Sequence, residues 1–464
     1  MAKLTPSSSY SIALRLRLPN QPGALARVTQ AIAEVGGSLS QIDLIHQSAA
    51  ETVREICVDA VSSEHAQQIH AAVASLPNVK VERVVDRTFE LHRGGKLQVV
   101  AKSPLESAAD LAMAYTPGVG RVALEIAADP SAVYEYTIKG NCVGIVTDGS
   151  AVLGLGNIGP EAALPVMEGK AALFKRFADI DAFPLCLATQ DVGEIVETVV
   201  RLAPGFGGFN LEDISAPRCF AIESQLKARL SLPVFHDDQH GTAIVVLAAL
   251  LNALKVVKKS LDEVRIVLNG AGAAGIAVTQ LLRRAGAAHI VVCDRQGILS
   301  RSRTDLTPEK AAIAVEKSGS LADALVGADV FIGVSVANAL TPEMVEKMAP
   351  DPIVFALANP VPEIQPEVVS DRVAVMATGR SDYPNQINNV LAFPGVFRGA
   401  LDCRAKQINI EMCLAAAQAI ANLIPPEDLD PQWIIPSVFD GRVVPQVAAA
   451  VIQAARQTGV AGIP

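Results

Sequence analysis

Four ionisable side chains stand within five residues in the segment VFHDDQHGTAIVVLAALL (234–251). Asp237 and Asp238 are adjacent, lie between two histidines, and precede an almost wholly apolar stretch. Adjacent carboxylates repel one another, so a buried helix that begins here needs something that stabilises both charges. A helix cap formed by Asp238 or Thr242 would account for one carboxylate but leaves the other unexplained.

A second acidic pair, Glu212 and Asp213, occurs upstream in GFNLEDISAP. Taken alone, this pair is typical of a solvated helix start, where acids interact favourably with the helix dipole. Together with the double aspartate it predicts a shared divalent cation, because converging carboxylates without a thiolate suit Mg²⁺ or Mn²⁺. Such a cation would let these groups remain ionised together. Zn²⁺ held by His236 and His240 is the alternative, although the sequence has no HExxH motif.

Two further side chains are candidates for proton transfer. Lys170 lies in the otherwise apolar helical segment PVMEGKAALFKRF. A lysine that extends its amine to solvent is the common explanation, whereas a buried lysine near a metal would have a lowered pKa and could accept a proton. Tyr115 stands just before a Pro-Gly turn in LAMAYTPGVG. Most such tyrosines are packing residues with a solvated hydroxyl.

A glycine-rich loop follows a predicted strand. The strand VRIVL leads into GAGAAG, which opens the helical segment IAVTQLLRRAG, and a second strand, HIVVC, follows. This order is the dinucleotide-binding pattern, in which glycines let the backbone approach a pyrophosphate at a helix N-terminus. A merely tight strand-to-helix turn is the alternative. The candidate cofactor-binding residues of the loop are Gly270, Gly272, Ala273, Ala274 and Gly275.

The end of the second strand bears on the choice of dinucleotide. Asp294 lies 22 residues after Gly272 and can accept hydrogen bonds from ribose hydroxyls, which favours NAD. Arg295 beside it could accommodate the 2′-phosphate of NADP, so both dinucleotides remain open.

These residues must be positioned by strands and helices, and the order of the predicted elements indicates an α/β fold class in three domains. Residues 1–88 show the order βαββαβ of a ferredoxin-like sandwich, and 89–240 form an α/β substrate domain. Residues 241–464 alternate short apolar strands with helical stretches, which predicts a Rossmann-type doubly wound parallel sheet followed by C-terminal helices.

Composition limits the partners and the location. The 464 residues carry a formal net charge of -9 and no basic tract, which argues against nucleic-acid or anionic-membrane binding. The N-terminus lacks a signal-peptide core, and apolar runs such as 243–251 are shorter than the ~20 residues that span a bilayer. The seven scattered cysteines predict reduced thiols. We therefore expect a soluble cytoplasmic protein and a homo-oligomer, with a two-fold dimer as the default.

The N-terminal domain resembles an ACT domain through the segment LPNQPGALARVTQAI. ACT domains often bind amino acids or other small effectors where the first strand ends and the first helix begins. The resemblance therefore implies an effector site, with a purely dimerising module as the alternative. The candidate effector-binding residues are Asn20, Gly23, Ala24 and Leu25.

The rest of the chain, from roughly 90 to 464, resembles malic enzymes of the compact bacterial type. The resemblance is carried by eight segments in order: AYTPGV, TDGSAVLGLGNIGP, PVMEGKAALFK, LEDI, HDDQHGTA, GAGAAG, FALANP and NNVLAFPG. It implies metal-dependent oxidation of L-malate by NAD(P)⁺ with release of CO₂ and pyruvate. Glu212, Asp213 and Asp238 would hold the metal. Lys170 would take the proton of the C2 hydroxyl, and Asp237 would hydrogen-bond to Lys170 or relay its protons.

The same resemblance implies roles for three more residues. Tyr115 would protonate the enolate carbon after CO₂ leaves, and Asn359 and Asn389 would hold substrate carboxylates or face the nicotinamide. One position departs from the animal enzymes, in which an arginine at the place of Ala151 pairs with a substrate carboxylate. We expect backbone amides of 149–156 or the asparagines to make that contact instead.

Two other functions fit parts of the sequence. An amino-acid dehydrogenase also joins a substrate domain to a Rossmann domain, but it has no need of two acidic pairs. A metabolite-sensing scaffold without catalysis is the second alternative. The presence of Tyr115, Lys170 and Asp237 together argues against it.

Overall fold

The computed structural model describes residues 5–152 and 154–463. Its internal contacts divide the chain into two compact units, Met1–Gln98 and Val99–Pro464. The first unit extends past residue 88 because a short helix after the last strand packs against the sheet. The second unit holds both the expected substrate domain and the expected Rossmann domain.

The first unit has the predicted βαββαβ order, followed by one extra helix. Its elements are β1 (Ser7–Pro19), α1 (Ala24–Glu34), β2 (Ser38–Gln47), β3 (Glu51–Ala60), α2 (Ser63–Ala74), β4 (Lys80–Asp86) and α3 (Arg87–His92). The four strands form an antiparallel sheet in the order β2-β3-β1-β4. Alternate residues of β1, such as Leu14 and Leu16, are fully buried and pack with Val28 and Ile32 of α1.

The second unit begins with helices and a four-stranded parallel sheet. Its elements are α4 (Ala108–Ala114), α5 (Val119–Ala128), α6 (Val133–Tyr136), β5 (Cys142–Thr147), α7 (Pro160–Ala178), β6 (Asp181–Cys186), α8 (Val192–Leu202), β7 (Gly208–Leu211), α9 (Arg218–Arg229), β8 (Val234–His236) and α10 (Thr242–Val257). The strand order is β6-β5-β7-β8, and every neighbouring pair is parallel. Neither α4 nor α5 contributes a buried residue.

A six-stranded sheet with the predicted doubly wound pattern follows. Its elements are β9 (Arg265–Asn269), α11 (Ala273–Arg284), β10 (His289–Asp294), β11 (Gly297–Ile298), α12 (Pro308–Ile313), α13 (Leu321–Leu325), β12 (Val330–Gly333), α14 (Pro342–Val345), β13 (Ile353–Ala356), β14 (Val375–Thr378), α15 (Phe393–Asp402), α16 (Ile410–Ala421) and α17 (Val443–Gln457). The order is β11-β10-β9-β12-β13-β14, with only the short β11 antiparallel to its neighbour. This arrangement is the Rossmann-type sheet that the sequence predicts.

Helix α10 is the central element of the second unit. It joins a π-helical turn, Asp237–Gly241, and its apolar residues belong to one core that includes strands of both sheets. The run Asp237–Val257 is 21 residues long, so by length and composition it could cross a bilayer, contrary to our expectation from the shorter apolar run. Two thirds of its most apolar window (67%) are buried inside the protein, as in a core helix. All seven cysteine thiols are free.

Candidate active site

The acidic residues cluster because three parallel strands end side by side. Asp148, Glu212 and Asp237 are the first residues after β5, β7 and β8, which are neighbours in the sheet. The carboxyl ends of parallel strands lie at one edge, where open α/β sheets bind ligands. Segments far apart in the sequence therefore place their carboxylates together.

The three predicted metal ligands are brought together by the fold. One carboxylate oxygen from each of Glu212, Asp213 and Asp238 lies within 4.8 Å of the others. Asp213 has a left-handed backbone with φ of 55°, and its N–H donates to Asp238 Oδ2 at 2.8 Å. Helix α10 begins after Gly241 without any side-chain cap, so the capping explanation for Asp238 or Thr242 is wrong.

The surroundings of Glu212 fit a divalent cation. Oε2 of Glu212 accepts a hydrogen bond from Asn210 Nδ2 at 2.8 Å, and Oε1 lies 2.9 Å from Lys170 Nζ. Burial raises the pKa of Glu212 well above its usual range, and the negative charges of Asp238, Asp237 and Asp213 raise it further, although Lys170 opposes them. A hard cation among these oxygens would offset that repulsion, and the all-oxygen donor set suits Mg²⁺ or Mn²⁺.

Lys170 is buried between two carboxylates. Its side chain on α7 is 10% exposed, and Nζ lies 2.6 Å from Asp237 Oδ2 and 4.1 Å from the ring centre of Phe393. Burial by itself lowers the pKa of Lys170, but Asp237 and Glu212 raise it by more, so the net direction is upward. In the metal-free protein the pKa of Lys170 is therefore raised, because the two adjacent anions outweigh burial, and the lowered pKa beside a metal stays a prediction.

Asn389 and Lys170 both contact Asp237. Its Nδ2 donates to Asp237 Oδ2 at 3.0 Å, and Thr242 Oγ1 donates to Asn389 Oδ1 at 3.3 Å. Gly241 is required beside this group because a Cβ there would lie 1.9 Å from Asp237 Oδ1. The Asn389 amide and the Lys170 ammonium thus both donate to the same oxygen of Asp237.

The two histidines face different carboxylates, His236 Nδ1 lying 3.6 Å from Asp238 Oδ2, and neither belongs to the group of three acidic residues. His240 Nε2 lies 2.8 Å from Glu223 Oε1, and the buried ring of His236 makes no hydrogen bond within the described residues. Burial raises the pKa of Glu223, but His240 and Lys227 lower it by more, so its net direction is downward. Our sequence reasoning missed Glu223, although its spacing from the buried apolar residues of α9 places it on the inner face.

Tyr115 is not gathered with the other candidates. It follows α4 and is 68% exposed, and its hydroxyl makes no hydrogen bond in the part of the chain that the structure describes. Neighbouring apolar side chains are similarly exposed, Leu111 at 53% and Met113 at 69%. Within the described part of a single chain, this tyrosine therefore makes no hydrogen bond to Lys170 or to the carboxylates.

The backbone amides that we expected to replace the missing arginine are mostly engaged. The N–H of Ala151 donates to the carbonyl of Asp213 at 2.9 Å. Amides at positions 149, 150, 152, 155 and 156 also donate to groups within the loop, and Leu153 lies outside the described residues. The asparagines thus become the better candidates for contact with a substrate carboxylate.

The glycine-rich loop has the geometry of a dinucleotide site. Gly270 has φ of 118°, and a Cβ there would lie 2.4 Å from the carbonyl oxygen of Val334. A Cβ on Gly275 would lie 1.7 Å from the carbonyl oxygen of Gly270, so the helix packs too closely for a side chain. A Cβ on Gly272 would meet open space, just where Ala273, Ala274 and Gly275 begin α11. The N-terminus of α11 is therefore accessible to a phosphate.

A cleft of about 760 Å³ adjoins this loop, with Gly270, Gly272 and Asp294 in its walls. Burial raises the pKa of Asp294, but hydrogen bonds from Arg303 and other groups lower it by more, to about 2. Our sequence reasoning missed Arg303 and Lys310, since residues after the second strand have no fixed spacing to Asp294.

Asn359 does not line the cleft; its carbonyl lies 3.4 Å from where a Cβ on Gly154 would be. The backbone of Asn359 thus lies beside the TDGSAVLGLG loop, and both of its predicted roles stay predictions.

Comparison with known proteins identifies the family to which this chain belongs. The sequence pattern of "Malic enzyme, N-terminal domain" matches residues 94–192, and that of "Malic enzyme, NAD binding domain" matches 239–456. An NAD-dependent malic enzyme of Geobacillus stearothermophilus is 53% identical over 463 residues, which are 99% of this chain and 97% of the relative. The chain belongs to the malic enzyme family.

Other relatives agree with this assignment. A bifunctional malic/malolactic enzyme of Bacillus subtilis is 57% identical over 82% of this chain and 94% of its own length. The crystal structure of malic enzyme from Pyrococcus horikoshii superposes with a TM-score of 0.79 at 47% identity, covering 82% of this chain and 92% of that one. Malic enzyme membership leaves no support for the amino-acid dehydrogenase alternative.

Proposed function

We propose that this malic enzyme oxidises L-malate with a nicotinamide dinucleotide and releases CO₂ and pyruvate. The observation that carries the proposal is the position of Lys170, which lies between Asp237 and Glu212 at the edge of the sheet where the three-carboxylate group lies. The same unit contains the dinucleotide cleft.

Glu212, Asp213 and Asp238 would hold a divalent cation, Mg²⁺ or Mn²⁺. When bound, such an ion acidifies the C2 hydroxyl of malate and stabilises the negative charge left when the C4 carboxylate departs. The protein's part is to keep one oxygen from each of three carboxylates within 4.8 Å of one another. Burial first, and then the neighbouring negative charges, raise the pKa of Glu212 there.

Lys170 would take the proton of the C2 hydroxyl as hydride leaves C2 for the nicotinamide. The ammonium must first lose a proton, and Asp237, 2.6 Å from Nζ, is placed to receive it. Asn389 donates to the same oxygen of Asp237, which keeps that carboxylate oriented toward Lys170. Asn389 and Asn359 are the groups proposed to hold substrate carboxylates.

Tyr115 keeps its proposed role as the acid that protonates C3 after decarboxylation. Its exposure means that a movement of the α4 segment, or a second copy of the chain, must bring the hydroxyl to the carboxylates. Mixing inactive Lys170→Met and Tyr115→Phe chains separates these cases, because activity returns only if the acid comes from the second copy.

The direct test of the proposed function is a malate-dependent assay in the presence of Mn²⁺. We expect absorbance at the wavelength of the reduced nicotinamide to rise together with equimolar pyruvate and CO₂. Reduction of the dinucleotide without release of CO₂ would indicate a simple dehydrogenase, and no reduction with either NAD⁺ or NADP⁺ would contradict the proposal.

The first unit is proposed to be an ACT-like regulatory module. Asn20 Nδ2 donates to the carbonyl of Ser48 at 2.8 Å, and Gly23, with φ of 82°, starts α1, so the expected effector loop is well defined. Deleting residues 1–98 should leave kcat with malate within about threefold, because the second unit has its own core. A panel of the common amino acids should alter the activity of the full chain but not of the deletion. Identical responses of both proteins would contradict regulation.

A further inference from the structure

Glu363 is a fully buried carboxylate that joins two loops of the six-stranded sheet. Its Oε1 accepts hydrogen bonds from the N–H of Ser335 at 2.8 Å and from the Ser335 hydroxyl at 3.0 Å. Its Oε2 accepts from the N–H of Ala358 at 3.0 Å. Ser335 and Ala358 each lie two residues after the end of a strand, β12 and β13, and these strands are parallel neighbours. Glu363 therefore fixes the spacing between two adjacent strand-end loops.

The carboxylate of Glu363 is held by hydrogen bonds alone. Its donors are two backbone amides and a hydroxyl, and none of the described residues forms an ion pair with it. A buried carboxylate without a countercharge costs free energy, and hydrogen bonds from fixed donors must offset that cost. The strand end also makes room for it, because a Cβ on Gly333 would lie 2.4 Å from Glu363 Cδ. An acid kept in such surroundings indicates that the two loops need a rigid connection.

Both loops are placed to affect the reaction. Ser335 lines the dinucleotide cleft, and its hydroxyl accepts a hydrogen bond at 2.9 Å from Nδ2 of Asn269, another residue of the cleft wall. Ala358 directly precedes Asn359, which is proposed to hold a substrate carboxylate. Hydride transfer requires malate and the nicotinamide to be closely aligned, and a displacement of about 1 Å can slow a reaction by about a hundredfold. A connection between these two loops therefore acts on the relative placement of the two reactants.

We infer that Glu363 is a positioning residue for hydride transfer, because its carboxylate sets the distance between the cleft wall at Ser335 and the segment that contains Asn359. Glu363 is not among the residues that line the cleft, so it acts through the two loops. In this step the hydride carries both electrons from C2 of malate to the nicotinamide, and the proton of the C2 hydroxyl goes to Lys170. The inference rests on the proposed oxidation of malate and names a further residue on which its hydride step depends.

Glu363→Gln removes the carboxylate with the smallest change of shape. A glutamine amide has one oxygen and one NH₂, and the NH₂ would have to face the N–H of either Ser335 or Ala358. Two donors cannot bond to each other, so one loop is released in either orientation of the amide. Glu367→Gln is the matched control, because Glu367 is exposed in the same segment. Glu367 accepts a hydrogen bond from the Tyr383 hydroxyl at 2.7 Å, which a glutamine oxygen can accept as well.

A stopped-flow experiment on the full-length protein distinguishes positioning from damage to the fold. Protein with saturating malate and Mn²⁺ is mixed with an equimolar amount of the dinucleotide that the wild type reduces faster, and its reduction is followed by absorbance. We expect the rate constant of Glu363→Gln to be about thirtyfold lower at unchanged amplitude, and lower still with malate that carries deuterium at C2. The dissociation constant of the reduced dinucleotide should change by less than about threefold, because the loop 270–275 is unaltered. Glu367→Gln should match the wild type throughout.

A rate constant of Glu363→Gln close to that of Glu367→Gln would overturn the inference. So would a reduced amplitude at the wild-type rate constant, because that result reports a smaller folded fraction. If Glu363→Gln yields no folded protein, Ser335→Ala carries the test, since it deletes one of the three donors to Glu363. We then expect a rate constant about fivefold lower at unchanged amplitude, and the wild-type rate constant would overturn the inference. A wild-type protein that reduces neither dinucleotide would instead contradict the proposed function and remove the basis of the inference.

Discussion

Replacement of Lys170 by methionine is expected to lower kcat with malate by about a thousandfold, because removal of a positioned general base costs roughly 10²–10⁴ in rate. NADH binding should stay within about twofold, since Lys170 is not among the residues that line the dinucleotide cleft. When no divalent cation is present, the free energy of unfolding of the variant should also be lower by about 3–5 kcal/mol, because Asp237 and Glu212 lose a buried partner.

Lys175→Met is the matched control for this prediction. Lys175 lies on the same helix, α7, but is 54% exposed and pairs with Asp179 and Asp181 at the surface. We expect the kcat and the stability of the Lys175→Met variant to remain close to those of the wild type. Malate oxidation by Lys170→Met at a rate near that of Lys175→Met would remove Lys170 from the mechanism.

Asp238→Asn is expected to abolish most of the metal-dependent activity. A cation that stabilises charge in the reaction supplies several kcal/mol, so its loss should lower kcat/KM by about a hundredfold or more. The variant should not be less stable than the wild type when no metal is present, because the change removes one of several repelling carboxylates. Chelation of the wild-type enzyme with EDTA should have the same effect on activity.

Asp179→Asn serves as the control for this charge change. Asp179 is 84% exposed, follows α7 and has no part in the carboxylate group. The activity of the Asp179→Asn variant and its response to EDTA should match those of the wild type. Full activity of Asp238→Asn, or wild-type activity that EDTA leaves unchanged, would contradict a metal at this position.

The convergence of the two acidic pairs could be anticipated from their residue types, because several carboxylates without a thiolate suit a divalent cation. Strands such as CVGIVT and VRIVL are short apolar runs separated by helical stretches, which predicts parallel sheets. The strands that end just before Glu212 and Asp237, four and three residues long, were not predicted. The glycine loop was similarly predictable, because only glycine fits where a Cβ would collide with Val334 or Gly270.

Other features depend on contacts that no local pattern contains. The direction of the Lys170 pKa requires knowing that two carboxylates lie within 2.9 Å of its amine. Glu223 lies 2.8 Å from His240 only because α9 packs behind the strand end. The exposure of Tyr115 was not predictable either, since its segment has the apolar residues of an ordinary packed helix.

Binding of one hard divalent cation by Glu212, Asp213 and Asp238 together is the basis of the proposed chemistry. It is tested most directly by titrating the metal-free protein with Mn²⁺ and measuring free Mn²⁺ by electron paramagnetic resonance. We predict one tight site per chain in the wild type and in Asp179→Asn, and loss of that site in Asp238→Asn. Equal Mn²⁺ binding by wild type and Asp238→Asn, or no binding by the wild type, would contradict the account.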